Sequence, residues 1–119
     1  MERNPDTNCI FCKIAHREIP TPLVFESEHV VAFRDLHPQA PTHVLIIPRR
    51  HISSITKVEE ADQSLLGELL LAAKKVAASL NLDTDGYRLN LNVGYHGGQT
   101  VEHIHLHLLG GRRFDWPPG

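Results

Sequence analysis

No apolar stretch in this 119-residue chain approaches the roughly 20 residues that a helix needs to cross a bilayer, and no membrane partner is expected. Basic residues are not in excess: 12 Lys and Arg stand against 14 Asp and Glu, for a net charge of -2. Without a basic stripe the chain lacks a general electrostatic grip on nucleic acid. Repeats and low-complexity segments are missing. Met1 to Asp6 is polar and has no apolar core of a secretion signal, so the cytoplasm is the expected compartment. Cysteine is scarce too. Cys9 and Cys12 are the only two, spaced Cys-x-x-Cys, and in a reducing compartment a structural disulfide between them is not expected. A thioredoxin-like redox pair needs a βαβ context that the pattern does not supply. Metal binding is the remaining reading, and it needs two further ligands.

What is present has globular composition, 41% apolar and 22% charged, long enough for one domain with its own core and too short for two. Residues 1–8 read as a loose leader and 109–119 as a C-terminal tail. Ile10 to Glu18 is predicted as a short helix stopped by Pro20 and Pro22. Leu23–Glu26 and His29–Phe33 read as strands around a turn at Ser27-Glu28, and Thr42–Pro48 as a central strand. From Val58 to Leu80 the apolar residues recur at three- and four-residue steps, which predicts one long amphipathic helix. Asp83–Gly86 is a turn, and Tyr87–Val93 alternates as a strand. The sum is an α+β domain with a mostly antiparallel five-stranded sheet, one long helix and one short one. Its polar face, with Asn90 and Asn92, is expected to be the active surface, and the helix its support.

The most informative segment is His103-Ile104-His105-Leu106-His107-Leu108-Leu109. In a strand, alternation puts the three histidines on one face and the aliphatics on the other, with same-face neighbours roughly 6.5 to 7 Å apart. Imidazole changes charge near neutral pH, attacks phosphorus and binds metals. The plain alternative is a solvated face that happens to be rich in histidine. The flanks speak against it: Gly94, Gly97 and Gly98 run into Gln99 and Thr100 directly before the histidines, and glycines let backbone N–H groups converge on phosphate oxygens. Taken alone, that loop is equally an ordinary hairpin connection. His43 lies in the central strand, where a lone histidine is more often structural than catalytic unless it reaches the others across the sheet.

Three blocks together, Asp35-Leu36-His37-Pro38-Gln39-Ala40-Pro41-Thr42-His43 through Arg49-Arg50-His51-Ile52, the loop Asn92-Val93-Gly94…Gly98-Gln99-Thr100-Val101, and His-x-His-x-His, resemble the histidine-triad (HIT) superfamily. The ending Leu109-Gly110-Gly111-Arg112…Trp116-Pro117-Pro118-Gly119 resembles its nucleotide-binding (HINT) branch, and the likeness runs from about Cys9 to the C-terminus. The resemblance implies the HIT fold, with its sheet continued across a homodimer and the stiff, apolar Trp116 tail near the partner's active site. It implies a purine nucleotide of AMP or GMP type as ligand. His105 is implied as the nucleophile on the α-phosphorus, with its other nitrogen held by a backbone carbonyl. His107 and His43 complete the catalytic cluster with Thr100, and the amides around Gly98 and Gln99 stabilise charge on phosphorus. Asp35 is implied to hold the ribose, Asn92 the sugar–phosphate, and Phe11, Phe33 and Leu36 an apolar slot for the base. Members with the Cys pair use it for structural zinc, which carries over to Cys9, Cys12, His51 and His103, a closed Cys2His2 set. The pair looks more like bacterial relatives than animal ones, and Arg34 and His37 beside Asp35-Leu36 also depart from the animal pattern.

The leading expectation is therefore a purine nucleoside phosphoramidase that cleaves P–N bonds, as in AMP-lysine, through a nucleotidyl-histidine. Three others stand beside it: a dinucleoside polyphosphate hydrolase, a metallohydrolase with zinc on His103, His105 and His107, and a non-catalytic nucleotide-binding or scaffold protein.

Overall fold

The computed structural model describes residues 8–119, so the leader expected over residues 1–8 lies, but for Asn8, outside the described residues. Five strands form one antiparallel sheet in the order β1-β2-β3-β5-β4, from β1 (Phe25–Glu26), β2 (Val30–Arg34), β3 (Thr42–Pro48), β4 (Arg88–Leu91) and β5 (Leu106–Gly110). Helix α1 is Ile10–Ala15, α2 is Gln63–Ser79, and a single turn, α3, is Gly94–Gly97. No helix among the described residues is long and apolar enough to cross a membrane.

The sheet is covered on both faces, which the sequence pattern did not anticipate. On one face Val30, Ala32, Val44, Ile46, Ile104, Leu106 and Leu108 pack against Leu69, Ala72, Ala73, Val76 and Ala77 of α2. Those helix positions repeat at three and four residues, and the alanines let the backbone approach closely. On the other face Val31, Phe33, Leu45 and Ile47 pack against Phe11, Cys12, Ile14 and Ala15 of α1. β2 and β3 are thus buried on both sides and read as continuous apolar runs. Polar residues hold this second face only beyond α1, around His107 on β5 and Asn90 opposite it on β4.

The helices differ from the expected ones at their ends. α1 stops at Ala15, well before the prolines, because Arg17 turns left-handed (φ 60°) and the Glu18 amide closes on the Lys13 carbonyl at 2.8 Å. The long helix begins at Gln63 rather than Val58. Two short 3-10 turns precede it, the second capped reciprocally by Glu59 and Asp62. It ends where Asn81 (φ 60°) turns left-handed and Leu82 donates to the Ala77 carbonyl at 2.9 Å.

The histidine segment is only partly strand. β5 begins at Leu106; His103 to His105 run up to it outside the ladder, with the Ile104 amide donating to Ile52 O at 2.8 Å. The alternation survives: Ile104 enters the α2-side core, while His103 and His105 meet Phe11 on the α1 side. Register does the rest. Leu45 pairs with His107 and His43 with Leu109, which makes His43 and His107 diagonal neighbours on one face.

Candidate active site

Two groups of donor atoms, each within 4.8 Å of one another, occur among the described residues: Cys9, Cys12, His51 and His103, and Asp35, His43 and His107. The first lies where α1 meets the segment before β5. Cys9 caps α1, its Sγ accepting from the Cys12 amide, and no disulfide joins the two thiols. His103 is fully buried. Its Nε2–H donates to Pro48 O at 2.8 Å, which leaves Nδ1 facing Cys9 Sγ at 3.4 Å and Cys12 Sγ at 3.6 Å. His51 Nδ1 is 3.3 Å from Cys12 Sγ. For a tetrahedral zinc with Zn–S near 2.3 Å and Zn–N near 2.0–2.1 Å, a sulfur–nitrogen edge is about 3.6 Å. The observed separations fit that figure, and the Pro48 carbonyl already selects the ligating nitrogen of His103.

Two residues on, His105 is buried and its Nδ1–H donates to the main-chain oxygen of His103 at 2.7 Å. A carbonyl only accepts, so Nδ1 carries the proton and the neutral ring has its lone pair on Nε2. Phe11 packs edge-on against His105, 5.2 Å between ring centroids, and also against His103 at 5.9 Å.

His107 has the opposite polarity. The amide of Gln39 donates to Nδ1 of His43 at 3.0 Å, so the His43 proton is on Nε2. That nitrogen is 2.9 Å from Nδ1 of His107, which therefore accepts, and the His107 proton is on Nε2. These tautomers are assigned from the hydrogen-bond network. Nε2 of His107 is buried without a partner, an N–H donor left over for a ligand. Burial, then the neighbouring His105 and His43, push the His107 pKa down to about 4, against the pull of Asp35. Burial lowers that of His43 also, again opposed by Asp35, whose Oδ2 is 3.5 Å from its Nε2. Both rings are neutral at pH 7.

The three triad histidines do not converge on one metal. No donor group among the described residues brings the three together: both nitrogens of His103 are engaged, by the sulfurs and Pro48, while His105 and His107 turn their Nδ1 to the His103 carbonyl and to His43, so the metallohydrolase expectation finds no three-histidine site. The glycine loop precedes the histidine segment as a single helical turn. The amides of Gly98 and Gln99 donate to Tyr95 O (3.1 Å) and Gly94 O (3.0 Å), closing α3, with Gly98 left-handed at φ 77°. Both of these hydrogen bonds stay within the loop. The Gln99 side chain ties the loop down instead, bonding Gly94 N, Ser53 O and Val101 O. Thr100 is exposed directly after it.

Of the expected nucleotide contacts, Asp35 uses Oδ1 on the His37 amide at 2.8 Å and keeps Oδ2 toward His43. Asn92 accepts from Asn90 at 2.7 Å, across the sheet from His107. The rings of Phe11 and Phe33 are buried against each other, 5.6 Å between centroids, while Leu36 is 90% exposed. Two residues escaped the sequence reading. Gln39 acts through its main chain, which has no side-chain signature. Arg49 donates to Ala15 O (2.6 Å) and Ser27 O (3.0 Å) and so anchors the C-terminal end of α1; in the sequence it is one of a basic pair.

Residues 8–113 match the family described as scavenger mRNA decapping enzyme C-term binding. A HIT-like protein of Synechococcus elongatus is 52% identical over 110 residues, 92% of this chain and 96% of that one. The 14 kDa zinc-binding protein of Zea mays is 50% identical over 121 residues, covering 100% of this chain and 94% of its own. The crystal structure of a HIT family hydrolase from Legionella pneumophila superposes with a TM-score of 0.91 at 57% identity, covering 94% of this chain and all of the other.

The half-buried, neutral imidazole of His107 has a signature in stability. Its pKa is about 4 folded, against 6.5 for the free side chain, so between those values the unfolded chain binds more protons. The contribution is complete above pH 6.5 and is lost as pH falls toward 4, at no more than about 1.4 kcal/mol per pH unit for one site. Denaturant unfolding at pH 7 and pH 5 is expected to show a smaller drop for His107→Gln than for the parent; equal drops would contradict the assignment.

Proposed function

Because the chain belongs to the histidine-triad superfamily, we propose that it is a hydrolase of nucleoside phosphoramidates, cleaving the P–N bond of AMP or GMP derivatives through a nucleotidyl-His105 intermediate. The observation that carries this reading is the 2.7 Å bond from His105 Nδ1–H to the His103 carbonyl, which leaves Nε2 as an oriented nucleophile. Beside it, 5.0 Å between ring centroids, His107 offers a buried N–H.

In the first half-reaction Nε2 of His105 attacks the α-phosphorus, a P–N(His) bond forms, and the bond to the leaving nitrogen breaks. The leaving nitrogen takes the proton from His107 Nε2 and departs as a neutral amine. His43 Nε2–H, donating into His107 Nδ1, offsets the negative charge that develops on that ring. In the second half a water attacks phosphorus, returns one proton to His107 Nε2, and displaces His105 with its lone pair restored. General acid–base assistance of this kind is worth about 10²–10⁴-fold. Amine leaving groups need that proton more than phosphate leaving groups do, which favours P–N substrates over dinucleoside polyphosphates. The tail from Gly110, similar to the HINT branch, points the same way.

Around the reacting atoms, we assign Asp35 Oδ2 to the ribose hydroxyls, Asn92 and Thr100 to the sugar–phosphate oxygens, and exposed Leu36 to the purine. Cys9, Cys12, His51 and His103 are assigned to a structural zinc. All four of its positions are filled by protein, so when bound it stiffens the segment carrying His103 and has no open site for substrate. A reducing compartment such as the cytoplasm, which keeps thiols available as metal ligands, is the location we assign. We further propose a homodimer joined at β4. That edge strand carries Leu89 and Leu91, 38% and 36% exposed on the face of the sheet where α2 sits, and Trp116 of the tail is 84% exposed.

Purified protein is expected to hydrolyse AMP-lysine with a higher kcat/KM than a diadenosine polyphosphate; the reverse order would replace the proposed substrate class. Metal analysis is expected to give about one zinc per chain. His51→Ala is expected to lose it along with several kcal/mol of stability, and a zinc-free parent of equal thermal stability would refute the assignment. Sedimentation at micromolar concentration should give a dimer for the parent and a monomer for Leu89→Glu; a monomeric parent would defeat the interface.

A further inference from the structure

We propose that the main-chain N–H of Gln39 is a positioning group for the reaction: it dictates, through two imidazoles, which nitrogen of His107 presents a proton to the substrate. The kinetic consequence rests on the function proposed above; the proton positions do not.

An amide nitrogen in a peptide can only donate. At 3.0 Å from Nδ1 of His43, the Gln39 N–H demands a lone pair there and forces the ring proton to Nε2. The 2.9 Å contact onward imposes the same choice on His107. If His43 took the other tautomer, its Nδ1–H would meet the Gln39 N–H, donor against donor. His107 would then turn a lone pair, not a proton, toward phosphate oxygens. The three N–H groups point one way along the chain, so each polarises the next.

The surrounding loop is built to hold this amide. The Asp35 amide donates to His43 O at 2.9 Å and closes the loop at its base. Asp35 Oδ1 accepts from the His37 amide at 2.8 Å, and the Gln39 side chain donates to His37 O at 2.9 Å. Arg112 reaches from the C-terminal segment to Gln39 O at 3.2 Å, and Pro38 and Pro41 stiffen the span.

The same bond accounts for the second group of donor atoms. Asp35, His43 and His107 make a two-histidine, one-carboxylate set of the kind that holds divalent metals. A metal on His43 Nε2 requires the proton on Nδ1, where Gln39 N–H already points. The amide therefore withholds the relay from metal capture and leaves the Cys-containing cluster as the metal site.

The test is the ¹⁵N NMR of the histidine side chains at pH 7 without substrate. In the parent, His43 and His107 are both expected to carry the proton on Nε2. Gln39→Ala keeps the N–H and is expected to keep those tautomers; Gln39→Pro removes it and is expected to give mixed or reversed tautomers, a kcat at least about tenfold lower, and a KM within about threefold of the parent. A proton on Nδ1 of either ring in the parent overturns the proposal, as does a Gln39→Pro variant with parental tautomers. Should Gln39→Pro not fold, the parent spectrum decides alone. Because the spectrum is read without substrate, its failure is distinct from a failure of P–N hydrolysis.

Discussion

The hydrogen bond from His105 Nδ1–H to the main-chain oxygen of His103, 2.7 Å long, is the constraint on which the site depends. It orients the ring and selects which nitrogen is nucleophilic. Its strength as a positioning device comes from how firmly His103 is itself held. That side chain is fully buried, bonded to Pro48 O on one nitrogen and facing two thiols with the other, while Phe11 packs edge-on against both rings. One residue thus serves two purposes: its imidazole ties the N-terminal helix to the sheet, and its carbonyl aims its neighbour. Arg49 secures the far end of that helix. An error of about 1 Å in a reacting group can cost on the order of a hundredfold in rate, so residues remote from the substrate are part of the chemistry.

The second organising feature is the pairing of opposite polarities. His105 turns a lone pair toward the site and His107 an N–H, and both choices are enforced by backbone groups that have no alternative, a carbonyl in one case and an amide in the other. Burial keeps His107 and His43 neutral, which preserves the pattern at physiological pH. Neither ring could reach the other without the β3–β5 register, which sets them diagonally on one face. Sheet topology, helix packing and proton position are links of one chain of causes.

Much of this was legible in residue order because it follows from short periods. Alternation separates His103, His105 and His107 from Ile104, Leu106 and Leu108 even where the ladder has not begun, and helical spacing marks the buried face of α2. The Cys-x-x-Cys pair announced a need for two further ligands, and the fold brings His51 and His103 beside it. What was not legible lies in main-chain hydrogen bonds and tertiary packing. The glycines at 94, 97 and 98 do not reveal that the amides of Gly98 and Gln99 close a helical turn. That the rings of Phe11 and Phe33 meet edge to face is likewise a product of tertiary packing. The Gln39 amide has no trace in composition, because every residue but proline carries one.

The chemistry turns on a bond between phosphorus and one nitrogen, Nε2 of His105. The most direct measurement is mass spectrometry of protein base-quenched during turnover of AMP-lysine and kept alkaline, with the adduct mapped by peptide. A mass increase of one AMP is expected on the peptide containing His105, absent from His105→Ala. Turnover at the parental rate in His105→Ala, or AMP found on another residue, would contradict it.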